Sequence, residues 1–294
     1  MNTTHRQPRR PVPRALPSQK GPILLATDGS PDAELARNAA GQLQRALRAG
    51  VHVVHCWMPV ISAYPAGVLP VDVAEVYEEP AAIVLRDEVA ALKRRKVDPE
   101  GIHLLEGRAS DLVPDLAVEL GARLIVIGSR GLGTIKRLVL GSVSEGIVHT
   151  THTPVLVVRG ETRAWPPTDI IVGDDGSAES RLAAAAAASI ATATGARLTI
   201  VHVIPAAWKD ASSPGHARVI AAASASAEAT LEEIADEVER TYGIRPTTSV
   251  LVGDATAKLV SQAGKTPVPA LLAAVPPCFR PVPRAGLRSG LPPN

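Results

Sequence analysis

The chain has 294 residues, 46% of them hydrophobic and 20% charged, which is enough for a sizeable core and more than one domain of ordinary size. Three Trp, three Tyr and one Phe, with a net charge of +2, supply neither stacking platforms nor a broad basic field, so nucleic acid is set aside as a partner. Two cysteines, Cys56 and Cys278, exclude a disulfide framework and a four-thiolate zinc site within one chain, and they fit a reducing, cytoplasmic setting.

Residues 1–20 carry Arg6, Arg9, Arg10, Arg14 and Lys20 among four prolines, with no apolar run behind them, and read as a disordered basic arm rather than a secretory signal. From residue 21 short β-branched runs alternate with helical segments. Ile23 to Ala26, Val51 to Trp57, Ile102 to Leu105, Arg123 to Gly128 and Val155 to Val158 are predicted strands, each bounded by Gly, Pro or a polar turn. The first helix opens with Ser30 as cap and Pro31 at its first position and ends at Gly50. Helices over Val73 to Lys96, Ser110 to Leu120 and Ser142 to Thr150 complete a βαβαβαβαβ order. Such alternation predicts an α/β fold, a parallel open sheet with right-handed crossovers and helices on both faces. Ligands of such sheets sit at the carboxyl ends of the strands where the winding reverses.

The segment Ile23-Leu-Leu-Ala-Thr-Asp-Gly-Ser30 recurs as Ile170-Ile-Val-Gly-Asp-Asp-Gly-Ser177, a shift of 147 positions, and Val53-Val54-His55 recurs as Ile200-Val201-His202 at the same shift. The repeat is a whole domain, which gives domain one as 21–160, a linker at 161–167 and a second copy at 168–264. In that copy only three strands and the start of a third helix are expected. The thirty residues 265–294 hold eight prolines and no acid, so they are expected to be a disordered tail, leaving the second copy without its fourth and fifth strands. The most apolar long stretch, residues 182–208, is mostly alanine and is interrupted by Gly195 and Arg197, short of the roughly 20 strongly apolar residues of a bilayer span, so no membrane association is expected.

The chemistry falls in the loop after the fourth strand, Gly128-Ser-Arg-Gly131-Leu-Gly-Thr-Ile-Lys-Arg-Leu-Val-Leu-Gly141-Ser142. Glycine at 128 and 131 lets main-chain amides approach a ligand, and Gly141 and Ser142 open a helix whose first amides and dipole favour an anion. Arg130, Lys136 and Arg137 add positive charge, and Ser142 and Ser144 offer hydroxyls, a set that suits a di- or triphosphate. Asp28 after the first strand could meet a ribose or base edge, or merely brace the turn through Gly29. Cys56 could present main-chain groups to an adenine. The pairs His52 with His55 and His149 with His152 are weak metal candidates, because strand positions three apart face opposite sides.

The spacing Gly128-x2-Gly131-x9-Gly141-Ser142, with Thr27-Asp28-Gly29-Ser30 and His55, resembles the universal stress protein family over residues 21–159. The resemblance implies a five-stranded sheet of order 3-2-1-4-5, ATP as ligand, and dimers or tandem pairs; Mg2+ or Mn2+ is expected beside the ATP only because polyphosphates usually carry such an ion. It places Ala26, Asp28 and Cys56 along the adenosine, and Ile127, Gly128, Gly131, Gly141, Ser142, Val143 and Ser144 around ribose and phosphates. No Gly-x2-Gly-x9-Gly-Ser occurs after residue 160, so nucleotide is expected in the first copy alone, and the edge of strand 154–159 is expected to be free for a homodimer. The function expected is an ATP-binding, non-enzymatic stress-response regulator. The alternatives are a nucleotide-free dimerising scaffold of the same fold and a slow ATP hydrolase.

Overall fold

A computed structural model describes residues 20–59, 73–129, 141–158, 166–205, 214–263, 265 and 269–272. In chain order the first half contains β1 (Ile23–Ala26), α1 (Pro31–Leu47), β2 (Val51–Trp57), α2 (Val73–Arg94), β3 (Gly101–Glu106), α3 (Ala109–Glu119), β4 (Leu124–Gly128), α4 (Ser142–Thr150) and β5 (Val155–Val158). The second half contains β6 (Asp169–Asp174), α5 (Ala178–Thr194), β7 (Arg197–Pro205), α6 (Pro214–Tyr242), β8 (Thr247–Gly253), α7 (Ala255–Ala263) and β9 (Pro269–Leu272). Among the described residues all strand pairings are parallel, in a five-stranded sheet of order β3-β2-β1-β4-β5 and a four-stranded sheet of order β8-β7-β6-β9.

Central strands of a parallel sheet are buried on both faces, and β1 reads accordingly: Ile23, Leu24 and Leu25 are fully buried. Their alternation feeds two cores. Ile23 and Leu25 join the cluster under α1 and α2, while Leu24 joins the one under α3 and α4 with Val54, Ile125 and Ile127. Burial of each such side chain contributes about 1.5–3 kcal/mol. The first cluster continues without a break into the second half through Ile170, Val172 and the alanines of α5, whose small side chains let α5 lie close against α1.

One expectation is overturned. The fourth strand of the second copy is present: β9 pairs with β6 from Asp169↔Pro269 to Val172↔Leu272, inside the stretch expected to be structureless. A proline at the first strand position withholds no ladder hydrogen bond that the strand's other residues need, which is where a parallel edge tolerates it. β9 also lies against β5, so the edge expected to be open meets the chain's own second half. The basic arm 1–19 and the remainder of the tail fall outside the described residues.

Candidate functional site

The carboxyl ends of β1, β2 and β4 form one rim, because Ala26 is in register with Val54 on one side and with Ile127 on the other. β1 turns away there, whereas β2 continues to Cys56 and Trp57 beside β3. Cys56 is therefore at the side of the gap that β1 leaves. Burial pushes its thiol up to about 12, so at neutral pH the side chain is an uncharged apolar group and only its backbone offers polarity.

The turn after β1 is fixed from within. Asp28 Oδ1 accepts from Ser30 N at 3.0 Å, the Ser30 side chain caps Ala33 N at 3.2 Å, and Gly29 takes φ +75°, a conformation that favours glycine. The bracing role considered for Asp28 is thus real. His55 Nδ1 meets Thr27 O at 2.7 Å, tying the end of β2 to the same turn.

At β4 the site's frame is pinned on both sides of the glycine loop. Ser129 N donates to Val158 O and Gly141 N donates to Ser129 O, each at 2.9 Å, so the chain leaves β4 and re-enters at α4 from neighbouring points. Ser129 Oγ donates to Asp32 Oδ2 at 2.6 Å, and Ser144 Oγ donates to Gly128 O at 2.8 Å. Gly128 is needed for packing as much as for access, since a Cβ there would lie 2.7 Å from the Asp32 carbonyl carbon at the start of α1. Gly141 caps α4 with extended backbone and no side-chain cap, and Ser142 and Val143 in the first turn are exposed. Those first-turn amides and the helix dipole are suited to an anion. Ala26, Asp28, Cys56, Ile127, Gly128, Gly141, Ser142, Val143 and Ser144 thus belong to the rim or to the start of α4. Arg130, Gly131, Lys136 and Arg137 lie outside the described residues.

Other polar contacts here were not legible in the sequence. Asp32, Ser129 and His55 work through partners 28 to 97 positions away, and nothing local marks such pairs. The histidine pairs separate: His52 Nδ1 meets His103 Nε2 at 2.9 Å, while His149 and His152 are near Glu145 and Glu179. The nearly coplanar His52 and His103 rings have centroids 5.3 Å apart, about one ring radius on each side of that contact, so the two nitrogens face each other in line. That is the geometry of an N–H···N bond, and burial lowers the proton affinity of both rings. Among the described residues no group of three or more His, Cys, Asp or Glu is placed to hold a metal ion, and no helix is long and apolar enough to cross a membrane.

In the second copy the corresponding rim is built differently. Asp174 stands where the first copy has Thr27, and its buried carboxylate accepts from Ser180 Oγ at 2.8 Å and meets His202 Nδ1 at 3.4 Å. Asp175 Oδ1 accepts from Ser177 N at 2.9 Å, repeating the Asp28 turn.

The sequence pattern of the universal stress protein family matches residues 21–159 and 168–270. A universal stress protein of Mycolicibacterium smegmatis is 27% identical over 185 residues, which cover 62% of this chain and 63% of that one. One from Mycobacterium tuberculosis is 32% identical over 205 residues, covering 64% and 63%. The alignments thus span less than two thirds of these relatives' length. The crystal structure of a universal stress protein from Archaeoglobus fulgidus shares the fold, with a TM-score of 0.59 at 17% identity over 87% of this chain and 99% of that one. With both halves matched and the sheet order of the first as that likeness implied, the chain belongs to the universal stress protein family.

Proposed function

We propose that this protein is an ATP-binding regulator of a stress response, acting in the cytoplasm, with the nucleotide held by its first copy only. The observation that carries the reading is the rim of β1, β2 and β4. A helix start without a side-chain cap stands beside a strand end where the sequence supplies Gly128, Gly131 and Gly141, and a neighbouring strand runs on past β1. In this reading Ala26, Asp28 and Cys56 line the adenosine. Ile127, Gly128, Arg130, Gly131, Gly141, Ser142, Val143 and Ser144 surround ribose and phosphates. A Mg2+ or Mn2+ ion would come with the polyphosphate and neutralise part of its charge.

The second copy is read as nucleotide-free. Its sequence has no equivalent of the glycine loop, and the buried Asp174 carboxylate at its rim would repel a phosphate. The homodimer expected through strand 154–159 required an open edge at β5. With β9 against that edge, we propose instead that the chain uses it internally.

We propose no catalytic step. Identifying the nucleotide released on denaturing the purified protein, then following phosphate release from added ATP over hours, tests both parts. Bound adenine nucleotide with negligible phosphate release is the expected outcome. Steady turnover would replace the regulator by a slow hydrolase.

A further inference from the structure

Glu88 of α2 is buried, 4% exposed, and faces Arg37 of α1: Arg37 Nη1 donates to Glu88 Oε2 at 3.0 Å, and Arg37 Nη2 donates to Glu34 Oε1 at 2.8 Å. Among the described residues Glu88 Oε1 and Arg37 Nε are buried with no hydrogen-bond partner, so the pair is only half satisfied there. Besides Arg37, the Thr27 hydroxyl, in the turn after β1, favours the charged Glu88 carboxylate and the Glu34 carboxylate opposes it, while Thr27 Oγ1 accepts from Gly29 N at 3.3 Å. One helical turn before Glu88, Val84 backs the same turn, since a Cβ on Gly29 would come within 3.1 Å of Val84 Cγ1.

The internal repeat supplies a control. Burial along α2 at 81, 85, 88 and 92 reappears along α6 at 227, 231, 234 and 238, which sets Ile234, 1% exposed, in the place of Glu88. The shift of 147 sets Ala184, 2% exposed, in the place of Arg37. The same fold thus closes this helix–helix contact with apolar side chains in the copy whose sequence lacks the glycine loop. A buried ion pair with orphaned atoms is no aid to stability compared with such a replacement. Its presence in the first copy alone therefore calls for a role other than holding the fold.

We infer that Glu88 and Arg37 are positioning residues for the nucleotide: from α2 and α1 they hold Thr27 and Gly29, and so set the turn that presents Asp28 to the adenosine. This rests on the first copy binding adenine nucleotide, as proposed above.

The test grafts the second copy's solution onto the first, as Arg37→Ala with Glu88→Ile. Three quantities are read: the thermal midpoint, the exchange rate of the Gly29 amide in the ligand-free protein, and the dissociation constant for ATP. The expected result is a midpoint unchanged or raised, Gly29 exchange faster by about tenfold, and ATP binding weaker by about tenfold. Glu88→Gln, which keeps an acceptor toward Thr27, should retain most of the Gly29 protection. A folded double variant with wild-type Gly29 exchange overturns the inference, as does wild-type ATP affinity in that variant. If the wild-type protein binds no adenine nucleotide, the proposed function fails by itself, and Gly29 exchange still decides whether Glu88 and Arg37 hold the turn.

Discussion

Position 27 and its repeat, 174, show how one residue redirects a site. Thr27 leaves its carbonyl to His55, whereas Asp174 brings a carboxylate that engages His202 and Ser180. Burial by itself would raise the Asp174 pKa, but the bonds from His202, Ser180 and the Gly176 amide outweigh it and hold the group below its ordinary range. The hydrogen bond to Asp174 raises His202 above its ordinary 6.5 against the opposing pull of burial. A raised histidine stabilises the fold fully below its unfolded value and loses that contribution as pH rises through the folded one. Replacing His202 by Gln should therefore cost about 1 kcal/mol below pH 6.5 and progressively less above it, measured by urea unfolding across pH. A difference that stays flat from about pH 5 to 9 would show that the pair is not coupled to folding.

At the scale of elements, α1 links the core to the candidate site, because its first turn packs against Gly128 and holds Ser129 through Asp32. A Cβ at 128 must displace backbone rather than a flexible side-chain end. Gly128→Ala should then cost about 1–3 kcal/mol in chemical denaturation, and a loss under about 0.5 kcal/mol would mean that α1 can shift aside freely. Much of this architecture was legible in the sequence, for a physical reason. β1, β2 and β5 fall at the predicted bounds because β-branched runs between Gly, Pro and polar turns have one reading, and Ser30-Pro31 marks the start of α1. β9 is not legible because its four residues, the first of them Pro269, carry no periodicity, and only the neighbouring β6 makes them a strand. The glycine loop pointed to the candidate site, while the contacts that Asp32, Glu88, Arg37 and His55 make behind it were not legible. Each acts across a separation that local pattern does not encode.

For the whole molecule, the two copies share a core rather than a tether. α1 lies against α5, β5 against β9, and Arg123, just before β4, donates to Ser189 Oγ at 3.1 Å. One continuous apolar cluster crosses the boundary, so unfolding of the halves should be coupled. With β9 lying against β5, sedimentation at micromolar concentration should find monomer, and a dimer abolished by a proline at Val157 would restore pairing through strand 154–159. In the proposed reading the two copies keep two frames and one nucleotide site, and the second frame packs against the first. Equilibrium dialysis of the full chain against ATP, beside Gly131→Val, tests that division most directly. The account predicts one nucleotide per chain for the wild-type protein and at least about tenfold weaker binding for the variant. Two per chain, or none at millimolar ATP, would contradict it.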